Sequence, residues 1–149
     1  MFKYIGGINM KIETARTILG YVKQHVDLSK LKLRASMHDW YYAVDEQRLV
    51  FAVEYPEQYK QSDVWISDYI YDTYGYRVAY ENMEIFRLLH EVGHHIEGEI
   101  CTQEEYYYLR QEAGRDRYAY RQIPDEKAAD LFAVNFMQQH MDNIIELVK

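Results

Sequence analysis

Apolar residues recur along much of the chain at intervals of three and four positions, which is the spacing of an amphipathic helix. The pattern predicts helices over residues 9–27, 62–74, 81–97, 103–113 and 124–148. Ser62 suits the cap position of the second helix. A glycine follows the predicted end of the second, third and fourth helices. Pro124 suits the first turn of the last helix. Residues 116–123 give no clear pattern.

Shorter runs of aromatic and β-branched residues predict strands at 31–36, 40–44, 48–53 and 76–80. Three polar residues, 45–47, separate the second and third runs, so these two runs are expected to form a hairpin. Residues 54–61 are polar and contain Pro56, which predicts a loop. The order of helix, strands and helices predicts an α+β fold with a small antiparallel sheet.

Length and composition favour a single domain over residues 1–149. A chain of this size buries roughly 70% of its unfolded surface, which is enough for a hydrophobic core. The composition is 48% hydrophobic and 28% charged, and no repeat, low-complexity segment or proline-rich linker divides it. We therefore expect one globular unit that needs neither metal nor disulfide merely to fold.

Charge and cysteine content limit the classes of partner. The net charge of -7 argues against a phosphate-binding surface, so no direct contact with nucleic acid is expected. Cys101 is the only cysteine, which suits a reducing compartment. Residues 1–7 lack the apolar core of a signal peptide, and no run of about 18 apolar residues predicts a membrane span. A cytoplasmic location is the simplest expectation.

Tyrosine is frequent, with 16 residues, several of them clustered. Such clusters can form a stacking platform for bases or for peptide side chains. The acidic balance of the chain gives a nucleic-acid platform no electrostatic help, so packing is the preferred interpretation.

One predicted helix carries a chemical motif, His90-Glu91-Val92-Gly93-His94. His90 and His94 lie four residues apart, so both imidazoles project from one helix face and can bind the same metal ion. Glu91 is rotated by about 100° from His90, which suits a general base better than a third ligand. The flanking residues are apolar, and burying these groups without partners is costly. The pattern predicts a zinc site of the kind found in proteases.

A catalytic zinc site needs a third protein ligand. The metzincin pattern would place glycine at 97 and histidine at 100, where this chain has Glu97 and Ile100. The other histidines lack a motif context or, for His95, point to another side of the helix: His25, His38, His95 and His140. Glu126 is the preferred ligand, with Asp125, Glu97 and Glu99 among the alternatives.

The helix that begins near Pro124 has one face formed by Glu126, Ala129, Asp130 and Ala133. The two alanines are small and can approach Gly93 on the motif helix closely. Helices meeting there would bring Glu126 toward the two histidines. Asp130 would lie one turn further along, where it can accept a hydrogen bond from the free ring N–H of a histidine ligand.

These two segments resemble the ImmA/IrrE-type metallopeptidases, which have a gluzincin arrangement. In that family H-E-x-x-H is followed by a helix that reads approximately E-x-x-A-[ND]-x-F-A. Here the second helix reads Glu126-Lys127-Ala128-Ala129-Asp130-Leu131-Phe132-Ala133. The similarity covers roughly residues 62 to 140. Departures are the 31 residues between His94 and Glu126, which carry a tyrosine cluster, and the lack of a convincing helix-turn-helix module.

The resemblance implies a zincin-like domain in which the histidine-bearing helix packs on the glutamate-bearing helix. It implies Zn²⁺ bound by His90, His94 and Glu126, with Glu91 as the catalytic base. It also implies limited cleavage of a regulatory protein, often a repressor tied to a mobile genetic element or a stress response. Residues 40–53 then offer an edge strand for an extended peptide.

Two other classes of function stay open. The first is a zinc-stabilised binding or regulatory protein without proteolysis, against which Glu91 weighs because a structural site needs no base. The second is a metal-free helical interaction protein. The donor that stabilises the oxyanion can be a tyrosine, an arginine or a histidine, and the pattern does not choose among them.

Overall fold

The computed structural model describes residues 10–149 and shows an α+β arrangement that is mostly helical. The helices are α1 (Ile12–Val22), α2 (Glu57–Tyr74), α3 (Met83–Glu97), α4 (Gln103–Ala113), α5 (Arg117–Gln122) and α6 (Pro124–Val148), and the strands are β1 (Lys32–Ser36), β2 (Tyr41–Ala43) and β3 (Arg48–Ala52). A short 3₁₀ turn precedes α3. Two predictions fall partly or wholly outside the described residues. They concern residue 9, where the first helix was predicted to begin, and residues 1–7, which were predicted not to form a signal peptide.

The helices predicted at 81–97, 103–113 and 124–148 are confirmed to within two residues at each end. Gly98, with φ of 69°, ends α3, and Pro124 begins α6. The ambiguous stretch 116–123 contains α5, whose first backbone amides donate to the Asp116 carboxylate. No helix between residues 10 and 149 is both long enough and apolar enough to cross a membrane.

The sheet is mixed, whereas the sequence predicted an antiparallel one. β2 and β3 form the expected antiparallel hairpin, but β1 pairs with β3 in parallel, in the order β1-β3-β2. The reason is burial. Four of the five β3 residues, Leu49 to Ala52, are at most 2% exposed, so β3 takes the centre of the sheet. No residue of β1 is buried, so β1 lies at one edge of the sheet and β2 at the other.

The start of α2 and the stretch after it also differ from prediction. α2 begins at Glu57, because Pro56 lacks an N–H and suits the cap position, while Ser62 donates to the Tyr59 carbonyl inside the helix. Gly75 ends α2 with φ of 72°, as predicted. Residues 76–80 form no strand, since the Val78 carbonyl accepts from a side chain of α2 at 2.6 Å.

The close contact of α3 with α6 sets the positions of the candidate site residues on both helices. Most of the apolar residues of α3 are buried, as predicted: exposures are 0–1% for Ile85, Phe86, Leu88, Leu89 and Val92, while Ile96 is only partly buried. A β-carbon on Gly93 would lie 2.9 Å from both the Cα and the carbonyl oxygen of Ala129. Such an approach is shorter than van der Waals contact. Glycine at 93 therefore lets the two helix backbones meet, and this prediction is confirmed.

Candidate metal centre

The histidines of the motif lie side by side on α3. His90 and His94 are one turn apart, and their ring centroids are separated by 4.8 Å. The two Nε2 atoms are 3.2 Å apart, and they face the same point. His90 is buried and His94 is partly buried, so this face of α3 is shielded from bulk water. The helix therefore presents two imidazole nitrogens in a configuration that can hold one metal ion.

Glu126 reaches the same point from α6. Its Oε1 lies 3.3 Å from Nε2 of His90, and its Oε2 lies 2.9 Å from Nε2 of His94. Ligands at 2.0–2.1 Å from a tetrahedral zinc are about 3.3 Å from one another. The separations of these three groups are thus close to those around one zinc ion. The donor set of two imidazoles and a carboxylate also fits this metal.

Asp130 fixes the orientation of the His90 ring. Its Oδ1 lies 2.8 Å from Nδ1 of His90 and accepts a second bond from Arg121 at 2.7 Å. A carboxylate can only accept, so we assign the proton of neutral His90 to Nδ1. The lone pair on Nε2 is then directed at His94 and Glu126. Asp130 is fully buried, and its Oδ2 has no hydrogen-bond partner within residues 10–149.

Protonation within the centre follows from the same contacts. Burial disfavours a charged His90, but the hydrogen bonds to Asp130 and Glu126 outweigh it and raise the pKa of His90 to about 10. Burial also opposes the charge on Glu126, but hydrogen bonds to His90 and His94 hold the pKa of Glu126 well below its usual range. The protein without metal therefore keeps a proton among these groups, which a divalent cation must displace.

Glu91 presents a carboxyl group close to the same two histidines. Single ligand atoms of His90, Glu91 and His94 all lie within 4.8 Å of one another, so these residues form a group that can hold a metal ion. Glu91 differs from Glu126 in its electrostatics. Burial is the largest influence and raises the pKa of Glu91, although the neighbouring histidines act in the opposite direction. A carboxyl group shifted upward in this way can take up and release a proton more readily near neutral pH.

Two tyrosine hydroxyls hold the Glu126 carboxylate, and neither was predicted from the sequence. Tyr120 donates to Oε1 at 2.6 Å and Tyr106 donates to Oε2 at 3.3 Å. Burial raises the pKa of Tyr106 to about 12 and that of Tyr120 further, so both stay protonated donors. Tyr107 and Tyr108 are more than 60% exposed. The helical spacing of α4, which turns Tyr106 and Ala113 inward, was the available signal.

Asp125, an alternative ligand from sequence, has a different position. Its two carboxylate oxygens accept the backbone N–H groups of Ile100 and Cys101 at 2.9 and 3.0 Å. It therefore fastens the loop after α3 to the start of α6. Of the other acidic alternatives, Glu97 is exposed on the last turn of α3, and Glu99 lies on the wall of the cavity beside the centre.

The other histidines lie outside the centre or beside it. His95 is on the far side of α3 from the point where the ligands meet, and its Nδ1 pairs with the Tyr42 hydroxyl at 2.7 Å. This bond ties β2 to α3. His38 pairs with Glu54 on the surface. His25 and His140 stack against each other near the end of α1, with ring centroids 4.2 Å apart.

A cavity of about 530 Å³ opens beside the centre. Its walls include His90, Glu91, His94 and Glu126, together with Tyr41 and Tyr42 of β2 and the preceding Trp40. β2 pairs with β3 on one side only, so its other edge is unpaired in the sheet. The cavity thus joins a group that can hold a metal ion to an unpaired strand edge.

The chain matches no model of a known protein family, and searches among curated proteins and among solved structures also find no match. Any functional assignment therefore depends on the chain's own motif and the geometry given above.

Proposed function

We propose that this protein is a zinc-dependent endopeptidase that makes limited cuts in a cytoplasmic regulatory protein. The observation that carries the proposal is the convergence of His90, His94 and Glu126 at 2.9–3.3 Å, beside the carboxyl group of Glu91. The resemblance of the same residues to ImmA/IrrE-type metallopeptidases supports it. That resemblance also suggests a repressor-type target, such as one carried with a mobile genetic element.

Zinc would be held by Nε2 of His90, Nε2 of His94 and a carboxylate oxygen of Glu126. A zinc ion there supplies Lewis acidity, which makes a water molecule a stronger acid and polarises a peptide carbonyl. Asp130 keeps the proton on Nδ1 of His90, so Nε2 stays available as a ligand. The hydroxyl of Tyr120, 2.6 Å from Oε1, limits the orientations of the Glu126 carboxylate.

Glu91 acts as the general base. Its carboxylate accepts a proton from the attacking water and later donates it to the amine that leaves when the peptide bond breaks. The raised pKa of Glu91 suits this exchange, because the group is a better proton acceptor than an exposed glutamate. Its half-buried position against the cavity keeps it within reach of a bound substrate.

The peptide substrate lies extended along the unpaired edge of β2. Backbone groups on a strand edge pair with an added strand whatever the substrate's side chains are. β2 has only three residues, Tyr41 to Ala43, so it supports a short stretch of peptide. Selection among proteins must then come from pockets beside the strand, which fits limited cleavage better than general digestion.

The alternative is a zinc-stabilised binding protein that cuts nothing. The enclosure of Glu126 favours it, because two histidines and two tyrosines contact a side chain that is only 3% exposed. Glu91 distinguishes the peptidase from the binding protein. It lines the cavity and makes no contribution that a structural zinc site requires.

The test compares wild-type protein with Glu91→Gln and with Glu97→Gln, an exposed glutamate of the same helix. Zinc is measured by elemental analysis, and substrates are found by comparing the proteomes of cells that express each form. We expect one zinc per chain in all three forms. Only Glu91→Gln should lose cleavage, by roughly 10²- to 10⁴-fold, which is the usual contribution of a general base.

Cleavage by Glu91→Gln at the wild-type rate would show that Glu91 is not the general base. Stoichiometric zinc in a wild-type protein that cuts no cellular protein would support the binding alternative. Absence of zinc from all three forms after exposure to the metal would contradict both.

A further inference from the structure

A second cavity, of about 260 Å³, adjoins the metal cavity, and no residue of β2 lines it. Five residues form walls of both cavities, among them Tyr59 and Tyr120. The second cavity is lined by five arginines, Arg87, Arg110, Arg115, Arg117 and Arg121, and we call it the arginine pocket. Asp116 is the only carboxylate among its lining residues.

Two of these arginines are committed to buried carboxylates. Arg87 contacts Asp63 at 2.8 Å, and Arg121 contacts Asp130 at 2.7 Å. These pairs neutralise both cations and brace the pocket wall. Because they are internal, these two guanidinium groups contribute little net charge to a ligand in the pocket.

The other three arginines, Arg110, Arg115 and Arg117, are exposed and form no ion pair within residues 10–149. Asp116 does not offset them fully, because it carries one negative charge against three positive ones. Its Oδ1 accepts two backbone N–H groups at the start of α5. Three unpaired guanidinium groups around one small cavity repel one another. An anion between them removes that cost.

The charge of this region is opposite to that of the whole chain, which carries -7. Guanidinium groups bind carboxylates through two parallel hydrogen bonds, which makes arginine the preferred residue for such groups. The walls also include aromatic rings, and the Arg110 guanidinium lies 5.8 Å from the centre of the Tyr120 ring. The pocket thus has an apolar wall and a cationic rim, which suit an acidic side chain on a peptide.

We propose that the arginine pocket binds a glutamate or aspartate side chain of the polypeptide held in the metal cavity. The inference rests on the proposed peptidase function and names the feature of the substrate that the protein selects. A peptide is favoured over a nucleic acid, because a nucleic acid would place further phosphates outside the pocket against a chain of net negative charge, whereas one carboxylate occupies the pocket alone. The cavity is also small enough to hold one side chain.

The test measures peptide binding in a way that needs no cleavage. The full chain carrying Glu91→Gln is titrated against labelled decapeptides of alanine and glycine with a central Glu-Glu, Gln-Gln or Lys-Lys pair. Binding is followed by fluorescence anisotropy at low salt. A single-stranded oligonucleotide of similar length is the fourth probe.

The pocket variants are Arg115→Glu/Arg117→Glu and the milder Arg115→Gln/Arg117→Gln, at positions that line only the arginine pocket. The matched control is Arg16→Glu/Arg34→Glu. It makes the same change in net charge at two exposed arginines that line neither cavity. Far-ultraviolet circular dichroism verifies that every variant is folded.

We expect the Glu-Glu peptide to bind at least about tenfold more tightly than the Gln-Gln peptide, as two charge-assisted contacts would give. Arg115→Glu/Arg117→Glu should abolish this difference, the glutamine variant should reduce it, and the control should change it less than about twofold. An equal loss in the control, or no loss in the pocket variants, would overturn the inference. Tighter binding of the oligonucleotide, lost in the pocket variants, would also overturn it. If the preference for the Glu-Glu peptide is found but the wild-type protein cleaves no cellular protein, the results count against the peptidase and not against the pocket.

Discussion

Helix α3 carries two buried polar clusters that are built in opposite ways. In the first, the bracing cluster, Arg87 donates from Nε and Nη2 to Oδ1 of Asp63, and the Tyr55 hydroxyl donates to both oxygens of the same carboxylate. Asp63 is fully buried and Arg87 nearly so. Donors meet acceptors and the two charges cancel, so this cluster joins α2 to α3 and needs nothing more.

The metal centre lies one turn further along the same helix. Here Nε2 of His90, Nε2 of His94 and the carboxylate of Glu126 converge, and Tyr106 and Tyr120 donate to the carboxylate as well. Between the two rings and the carboxylate, a hydrogen bond forms only where a histidine nitrogen carries a proton. The bracing cluster and the metal centre differ in whether their polar groups are satisfied by one another. A cluster that is complete in itself stabilises a fold, whereas converging acceptors indicate a site for a cation.

The largest effect is expected from breaking the bracing cluster. Asp63→Asn leaves the buried Arg87 without its counter-ion, and loss of one partner of a buried pair costs about 3–5 kcal/mol. The free energy of unfolding of the metal-free protein, measured by urea denaturation, should fall by this amount.

Asp68→Asn is the control, because Asp68 lies on the same helix in an exposed pair with Arg77 and should cost less than about 1 kcal/mol. Zinc stoichiometry in folded Asp63→Asn should match that of the wild type. Loss of zinc there would show that the two clusters are not independent.

A second prediction concerns Glu84, a buried carboxyl group near the bracing cluster. Burial is the main cause that raises the pKa of Glu84 from 4.5 to about 7, with a smaller contribution from Asp63. As pH rises between these values, the unfolded chain loses this proton before the folded chain does. Glu84 therefore lowers the stability of the wild type over this range, by about 3 kcal/mol in total.

Glu84→Gln removes the titrating carboxyl group, and with it this contribution to the pH dependence of stability. Relative to wild type, the variant should gain about 3 kcal/mol between pH 4.5 and pH 7 and no more at higher pH. Denaturation curves across this range measure the gain, and Glu81→Gln is the exposed neighbouring control. Parallel pH profiles for Glu84→Gln and wild type would rule out this role of Glu84.

The smallest of these effects is expected at the contact that positions Glu126 opposite the histidines. In Gly93→Ala the new methyl group would meet the Ala129 backbone at 2.9 Å, so α6 must move. Overpacking of this kind costs about 1–3 kcal/mol. Zinc affinity, measured by competition with a chelator, should fall as well, because α6 carries Glu126.

Gly20→Ala is the matched control, since a β-carbon there meets nothing within 4 Å. It lies within α1 and should stabilise the protein by up to about 1 kcal/mol. Equal stability of the two alanine variants would show that the α3–α6 contact is not tight.

Local patterns were sufficient to predict the two helices that form the metal centre. Helical spacing placed His90 and His94 on one face, and small residues predicted where the helices meet, which Gly93 and Ala129 confirm. The approach of Glu126 to the histidines followed from that single contact. The face that each helix presents depends on residues within a few turns of one another, so sequence alone carries it. The contact between the helices is long-range, but small residues on both faces indicated where it would form.

The parts that could not be predicted depend on distant packing. The parallel pairing of β1 arises because the more buried β3 lies between two strands that are neighbours in sequence. Tyr120 and Arg121 reach the centre from α5, a six-residue helix without a clear apolar pattern. The arginine pocket combines residues of α2, α3, α4 and α5, so its walls could not be predicted from one segment. Four of its five arginines do lie within residues 110–121, and this local cluster was the available signal.

Glu126 contacts His94 across 31 intervening residues, and this has a topological consequence. A metal ion bound to both would close the intervening chain into a loop, as a disulfide does. In the chain-entropy model, closing a loop of this length lowers the conformational entropy of the unfolded chain, which raises its free energy by about 3–4 kcal/mol. The loop would contain α4 and α5, with Arg110, Arg115 and Arg117. Loading the metal would thus also anchor both ends of the segment that carries these three arginines.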